Sequence, residues 1–382
     1  MFVPTYQGLS AKDFFRPVGA RSECFPFNAP NVLRFYRARN AIYYLFKALG
    51  ASRPNLTVLA PDYYSGNEVL AMRAAGATIH YCPVGRHMQL DPDEVERLCA
   101  RYEPDVLYVI HYLGWPQPMK ALVELCRRRG ILLFEDCALA LLSELDGQPL
   151  GSFGDWAVFC LYKTLPVPNG AVLVQNGAKL ESLERLPLRH VGPASVLGRT
   201  AELFVQRARS RADGLGAALC AVKRGLGLAA GAFEVHRTPV GDMGFDLTDV
   251  DLAMSRFSER VLGGLDFTEI RRRRLANFRR LSHGLRGQAT QVLPDPGDGV
   301  CPLFFPVFVP DKAAAATALR QRGVDALEFW NDGVEEDRLE MSPAARFLRT
   351  HVLELPIHQD LTPEHVDYVA RQVSNLNLQM AA

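Results

Sequence analysis

The chain reads as an α/β protein, a mostly parallel central sheet flanked by helices with a smaller C-terminal α/β unit behind it. Three observations predict this. Helix-like and strand-like segments alternate from about residue 41 to 174, the pattern that lays parallel strands side by side beneath crossover helices. The strand-like segments at 106–111, 131–135, 156–161 and 171–174 are continuous apolar runs, as expected of strands buried on both faces. At 382 residues the chain is also long enough for two or three structural units.

Taken in order, residues 40–49 have a helical period, and 56–60 form a short apolar run ended by Pro61. Residues 66–75 are helical again and 78–81 read as a strand. An acidic start at Asp91 opens a helix over 91–101, and 119–129 is amphipathic with Gly130 placed to end it. From about 180 to 237 the chain turns Arg- and Ala-rich with no clear strand, which predicts a helical insertion. Residues 254–281 predict one long helix carrying the run Arg271 to Arg274. A strand at 303–309 and helices at 313–322 and 363–376 complete the smaller unit. The domain expectation is therefore a large unit over 1–250, including the 180–237 insertion, and a small one over 251–382.

Composition narrows the function classes. Hydrophobic residues make up 48% and charged residues 22%, which fits a packed globular protein rather than a disordered one. With 43 Lys plus Arg against 42 Asp plus Glu, no global field draws in nucleic acid or a membrane surface. The Arg271 to Arg274 run reads as a solvated helix face. The eight cysteines lack the paired spacing of a zinc site or disulfide framework, so no metal is expected and the reducing cytoplasm is the expected location. No secretory signal is visible at the N-terminus, and the apolar stretch 215–233 is interrupted by Lys223 and Arg224, so no membrane span is expected. Gly225, Gly227 and Ala230 match a G-x-G-x-x-A pattern, but no strand precedes them, which argues against dinucleotide binding.

The chemistry concentrates between 132 and 174. Glu135 and Asp136 close one apolar strand and Lys163 follows another, 27 residues beyond Asp136. Parallel strands present their carboxyl ends to one crevice, where ligands of open α/β sheets bind. A lysine there can form an imine with an aldehyde, and an acid can keep a pyridine nitrogen protonated so that the ring accepts electrons. Singly, Asp136 reads better as a turn-capping acid and Lys163 as an exposed loop lysine. Only seven of the 43 basic residues are lysines, and arginine does not form that imine.

The block from Val106 to Val174 carries four motifs in order: His111 with Gly114, the Glu135 and Asp136 pair, the turn Gly151, Gly154, Asp155, and Lys163 with Gly170. In this order they resemble the DegT/DnrJ/EryC1/StrS family of pyridoxal-phosphate aminotransferases. Weaker likeness runs from about Arg37 to Gln372, including Leu355, Pro356, Ile357, Leu361 and Thr362. The resemblance implies the fold type I architecture, pyridoxal 5'-phosphate as cofactor, and a homodimer with active sites shared at the subunit interface. It implies Lys163 as the lysine that binds the cofactor and carries the proton, Asp136 at the pyridine nitrogen, and His111 as donor to the phenolic oxygen. Asn40 and Ala41 fall where the family's phosphate-binding helix begins, and Tyr64, in preference to Tyr63, where an aromatic stacks on the cofactor. Cys160 stands nearest the family's phosphate-binding serine and is the weaker donor. Leu139 replaces a usual Gln or His, and Asp246 or Asp251 stands for an Asn from the partner subunit. Arg256 and the Arg271 run are alternatives for the phosphate.

The implied activity is transfer of an amino group from an amino acid, glutamate or glutamine, to a keto acceptor such as a keto-sugar nucleotide or natural-product intermediate. Two alternatives stay open. One keeps the cofactor for a lyase, aldol or condensation reaction, and the other is a non-catalytic regulatory or assembly protein. The sequence does not name the acceptor.

Overall fold

A computed structural model describes residues 1–10, 12–13, 24–211, 243–331, 333–337 and 340–376. Its main feature is a nine-stranded sheet. In chain order its first eight members are β1 (Val32–Phe35), β2 (Thr57–Pro61), β3 (Thr78–Cys82), β4 (Val106–Ile110), β5 (Leu132–Asp136), β8 (Trp156–Cys160), β9 (Ala171–Gln175) and β10 (Arg189–His190), and a small hairpin, β6 (Glu144–Leu145) and β7 (Gln148–Pro149), stands apart. With β11 (Leu252–Ala253) the spatial order is β10-β11-β1-β9-β8-β5-β4-β2-β3. The five strands from β3 to β8 run parallel, while β9 is antiparallel to both β8 and β1. Residues of β4, β5 and β8 are all but completely buried, which is why they are apolar without alternation.

Helices cover this sheet where the sequence periods place them. Helix α1 (Ala38–Ser52) packs against β8 and β9, and α2 (Asn67–Ala74) against α1. Helix α3 (Pro92–Tyr102) is capped by the Asp91 side chain, which accepts from Asp93 N, and α4 (Met119–Arg129) ends at Gly130 with φ 69°. A short turn of helix, α5 (Leu161–Thr164), follows β8 directly.

Two expectations are corrected. The stretch 180–237 is not strand-free: after α6 (Glu181–Glu184), β10 pairs parallel with β11 before helix α7 (Pro193–Arg211), and the rest, with Gly225, Gly227 and Ala230, lies outside the described residues. The single helix over 254–281 is two, α8 (Arg256–Leu262) and α9 (Phe267–Gly284). Gly263 and Gly264 separate them, and Asp266 restarts the second by accepting from Glu269 N.

A three-stranded antiparallel sheet, β12 (Thr290–Gln291), β13 (Phe305–Phe308) and β14 (Val352–Leu355), forms the C-terminal layer. It goes with α10 (Lys312–Gln321), α11 (Pro343–His351) and α12 (Pro363–Ser374), the last packed on α9. Among the described residues no helix is long and apolar enough to cross a membrane.

Candidate active site

Strands β4, β5 and β8 pair in register, with Ile110 opposite Asp136 and Asp136 opposite Val158, so their carboxyl ends share one edge. Successive side chains on a strand face opposite ways, and here the acidic pair is split by that rule. Glu135 turns to one face. Its Oε1 accepts from Phe153 N at 2.7 Å and Gly154 N at 2.6 Å, and its Oε2 accepts from Gly151 N at 2.9 Å. The glycine turn is thus wrapped around a buried carboxylate. A Cβ on Gly154 would lie 2.6 Å from Leu133 O, which explains the glycine there. Glu135 Oε2 also meets His111 Nε2 at 3.0 Å, while His111 Nδ1 accepts from Gln117 N, so the ring proton sits on Nε2. Cys137 brings its sulfur within 4.8 Å of the donor atoms of His111 and Glu135, but burial pushes its thiol pKa well up, and Glu135 is committed to the turn.

Asp136 turns to the other face and lines a cavity of about 790 Å³. Tyr108, stacked on Phe134, donates its hydroxyl to Asp136 Oδ2 at 2.6 Å, and Ala138 N donates to Oδ1 at 2.8 Å. Burial, reinforced by the nearby charge of Glu68, raises the Asp136 pKa to about 6, against the lowering effect of Tyr108, Ala138 N and Lys163. Lys163 lines the same cavity from α5, its Nζ 5.5 Å from the centre of the Phe329 ring. Gly170, at φ 136°, returns the chain beneath α5, its carbonyl accepting from Leu161 N.

Of the residues singled out in the sequence, Lys163, Asp136 and Cys160 meet in this cavity, and Leu139 lines it too. The other four lie behind its walls. His111 is fully buried between Glu135 and Gln117. Asn40 is not the helix cap, because Arg37 takes that position; Asn40 donates Nδ2 to Asp249 O at 2.8 Å, and its buried Oδ1 has no partner among the described residues. Ala41 packs in the core. Tyr64 stacks on Tyr81 at 5.4 Å and donates to Asp337 Oδ2 at 2.7 Å, so its ring face is already covered. Cys160 hydrogen-bonds with the Tyr162 hydroxyl and the Lys163 backbone, and burial raises its thiol pKa. Asp246 caps a turn at Thr248 N and Asp251 pairs with Arg189 at 2.6 Å.

The structure adds residues the sequence reading passed over. Arg37 and Arg39 flank the start of α1 on the cavity wall, with Glu68 beside them. Arg39 donates to Asn67 Oδ1 at 2.9 Å and to Gly244 O. The cover comes from Phe2 to Tyr6, from Arg199, Gln206 and Arg209 of α7, and from Phe329 and Trp330. Two arginines around a helix start were a usable signal for the first group. The cover had none, since its parts are far apart in sequence.

The fold is shared with solved aminotransferases. TlmJ from Streptoalloteichus hindustanus superposes with a TM-score of 0.68 at 21% identity over 98% of both chains, and PseC of Helicobacter pylori with 0.69 at 15% identity over 99% of both. Residues 30–200 match the sequence profile of the DegT/DnrJ/EryC1/StrS aminotransferase family. Among curated proteins, GDP-perosamine synthase of Escherichia coli O157:H7 is 29% identical over 37% of this chain and 39% of its own length. The dTDP-4-dehydro-2,3,6-trideoxy-D-glucose 4-aminotransferase of Saccharopolyspora spinosa is 31% identical over 30% of this chain and 33% of its own. These alignments thus span between a third and two-fifths of the relatives' length.

Proposed function

We propose that the chain is a pyridoxal 5'-phosphate-dependent aminotransferase that moves an amino group from an amino-acid donor, glutamate or glutamine, to a keto acceptor of the sugar-nucleotide or natural-product kind. One observation carries the reading: Lys163 and the buried Asp136 line one cavity at the ends of neighbouring parallel strands. The residues fit the cofactor. An acid held at a pKa of about 6 by burial suits a cationic pyridine N–H, which would draw it into its ionised form. Arg37, Arg39 and the open N-terminal turn of α1 offer cations and N–H groups to the phosphate.

When bound, the cofactor supplies an electron sink for the carbanion formed at the donor's α-carbon. Lys163 holds the cofactor through Nζ and, once released, carries the proton at that atom. Asp136 keeps the pyridine nitrogen charged, and Tyr108 and Ala138 N keep Asp136 aimed. His111, Asn40, Ala41 and Tyr64 support the walls rather than touch the cofactor, and Cys160 steadies the Lys163 turn. We assign a large unit up to about residue 250 with an insertion over 180–237, and a small unit over 251–382; the three-stranded sheet lies wholly within the second span, while β11 at its start still pairs in the nine-stranded sheet. The reading includes a homodimer with shared active sites and a cytoplasmic location, the latter supported by seven free cysteines among the described residues.

The test is spectroscopic. Protein loaded with pyridoxal 5'-phosphate should show a visible band that glutamate or glutamine bleaches. A protein that takes up no cofactor overturns the reading. A loaded protein that answers no amino donor replaces transamination with a lyase or aldol reaction, in keeping with apolar Leu139 on the cavity lining.

A further inference from the structure

The turn that carries Lys163 is held from beneath by a buried cation. Arg274, on α9, is 1% exposed. Its Nη2 donates to Thr164 O at 3.2 Å and to Gln7 Oε1 at 3.0 Å, and its Nε donates to Gln359 Oε1 at 2.8 Å. Its Nη1 donates to Leu303 O at 3.0 Å and Pro302 O at 3.3 Å. Both glutamines pass the grip on. Gln359 Nε2 donates to the same Thr164 O at 3.1 Å, and Gln7 Nε2 reaches Tyr162 O at 3.5 Å. The carbonyls on either side of Lys163 are therefore fixed by one assembly drawn from residue 7, α9 and residue 359.

The five acceptors of Arg274 are all neutral oxygens, and no carboxylate lies within ion-pair distance of it among the described residues. A buried cation without a carboxylate is costly, so its place calls for a reason beyond packing. Burial lowers its pKa to about 10, which still leaves it charged at neutral pH. The rest of the run behaves differently: Arg272 and Arg273 pair with Glu269 on the surface and Arg271 pairs with Glu144 at 2.6 Å.

We propose that Arg274 is a positioning residue for Lys163: its planar fork, with Gln359 and Gln7, fixes the direction in which Lys163 leaves its turn. Its effect on turnover rests on the cofactor reading above. The clamp itself does not.

Three variants separate the parts: Arg274→Met, Arg274→Lys and Gln359→Leu. In cofactor-free protein, amide hydrogen exchange over 161–165 in Arg274→Met should rise at least about tenfold relative to β4, since the turn loses its anchor. With pyridoxal 5'-phosphate bound, the kcat for the donor half-reaction should fall with KM little changed. Arg274→Lys should restore neither the exchange nor kcat fully, because it keeps the charge and loses the fork. If Arg274→Met does not fold, Gln359→Leu removes one of the two donors to Thr164 O and should raise exchange in the same peptide to a lesser degree. Wild-type exchange over 161–165 in a folded variant overturns the clamp. A wild type that binds no cofactor overturns the function proposed above, while the exchange measurement still decides the clamp.

Discussion

In the floor of the cavity, Asp136 and Lys163 stand 27 residues apart in sequence at the ends of strands that pair side by side, and the groups that hold Asp136, Tyr108 and Ala138 N, come from the same stretch of chain. Its cover draws instead on residues 2–6, α7 and residues 325–331, tied by side chains such as Gln206 to Tyr6 O at 2.8 Å, Thr5 to Asp325 at 2.7 Å and Arg349 to Trp330 O at 2.9 Å. Asp136 in the floor is satisfied by the hydroxyl of Tyr108 on the neighbouring strand and by Ala138 N. Polar groups in the cover include arginines that reach from a half-exposed helix. On the function proposed above, the difference would divide labour: fixed geometry for proton and electron movement below, adjustable contacts for an acceptor above.

The floor is where damage should be greatest. Lys163→Ala should abolish both the visible band and turnover in cofactor-loaded protein, and a variant retaining either would remove the lysine from the proposal. Asp136→Asn should lower turnover by roughly a hundredfold, as expected when a buried charge facing the reacting system is lost. Its effect on stability runs the other way. The folded pKa of Asp136 is about 6 against an ordinary 3.8, so the folded state holds a proton that the unfolded chain gives up in that window. Stability then falls as pH rises through it, and the asparagine escapes the penalty. Cofactor-free Asp136→Asn should be more stable at pH 7 by on the order of 3 kcal/mol, measured by denaturant unfolding.

Changes to the cover should sharpen the contrast with smaller effects. Arg199→Ala or Arg209→Ala should raise KM for the keto acceptor about tenfold, the value of one charged hydrogen bond, with kcat nearly unchanged. A fall in kcat at constant KM would mean that the cover takes part in the chemistry and the division is false. A last effect, on stability and not on turnover, concerns His358, whose Nε2 donates to Pro4 O at 3.1 Å beneath the N-terminal strap. Burial lowers its pKa to about 4 from 6.5, so stability is lost as pH falls between those values while the unfolded chain takes up the proton. His358→Gln should flatten that part of the stability profile, read from thermal unfolding between pH 4 and 7.

The same contrast governs what was legible in the sequence. Apolar runs located β4, β5, β8 and β9 to within a residue or two, and Asp91 and Gly130 marked helix ends because capping is a local matter. The 254–281 reading failed where two helical periods join across Gly263 and Gly264. Asp136, Lys163 and Cys160 reach the cavity because strand ends determine their direction. His111 and Tyr64 do not, since Glu135 and Asp337 engage them first, and a sequence does not say which polar groups are already engaged. Arg274 was hidden in a run whose neighbours are ordinary surface cations.

Glu135 closes its contacts with Gly151, Phe153 and Gly154 across fewer than twenty residues of chain. Contacts that short form early, because little loop entropy must be lost before they are made. The floor should therefore assemble ahead of its clamp during synthesis, before residue 274 has left the ribosome, leaving Lys163 on a loose turn until the C-terminal layer arrives. Pulse-labelled exchange during refolding should protect 132–160 before 305–308, and simultaneous protection would rule this order out. An unfinished chain would then carry a recognisable pocket with an undirected lysine, and so would be kept from reacting until it is whole.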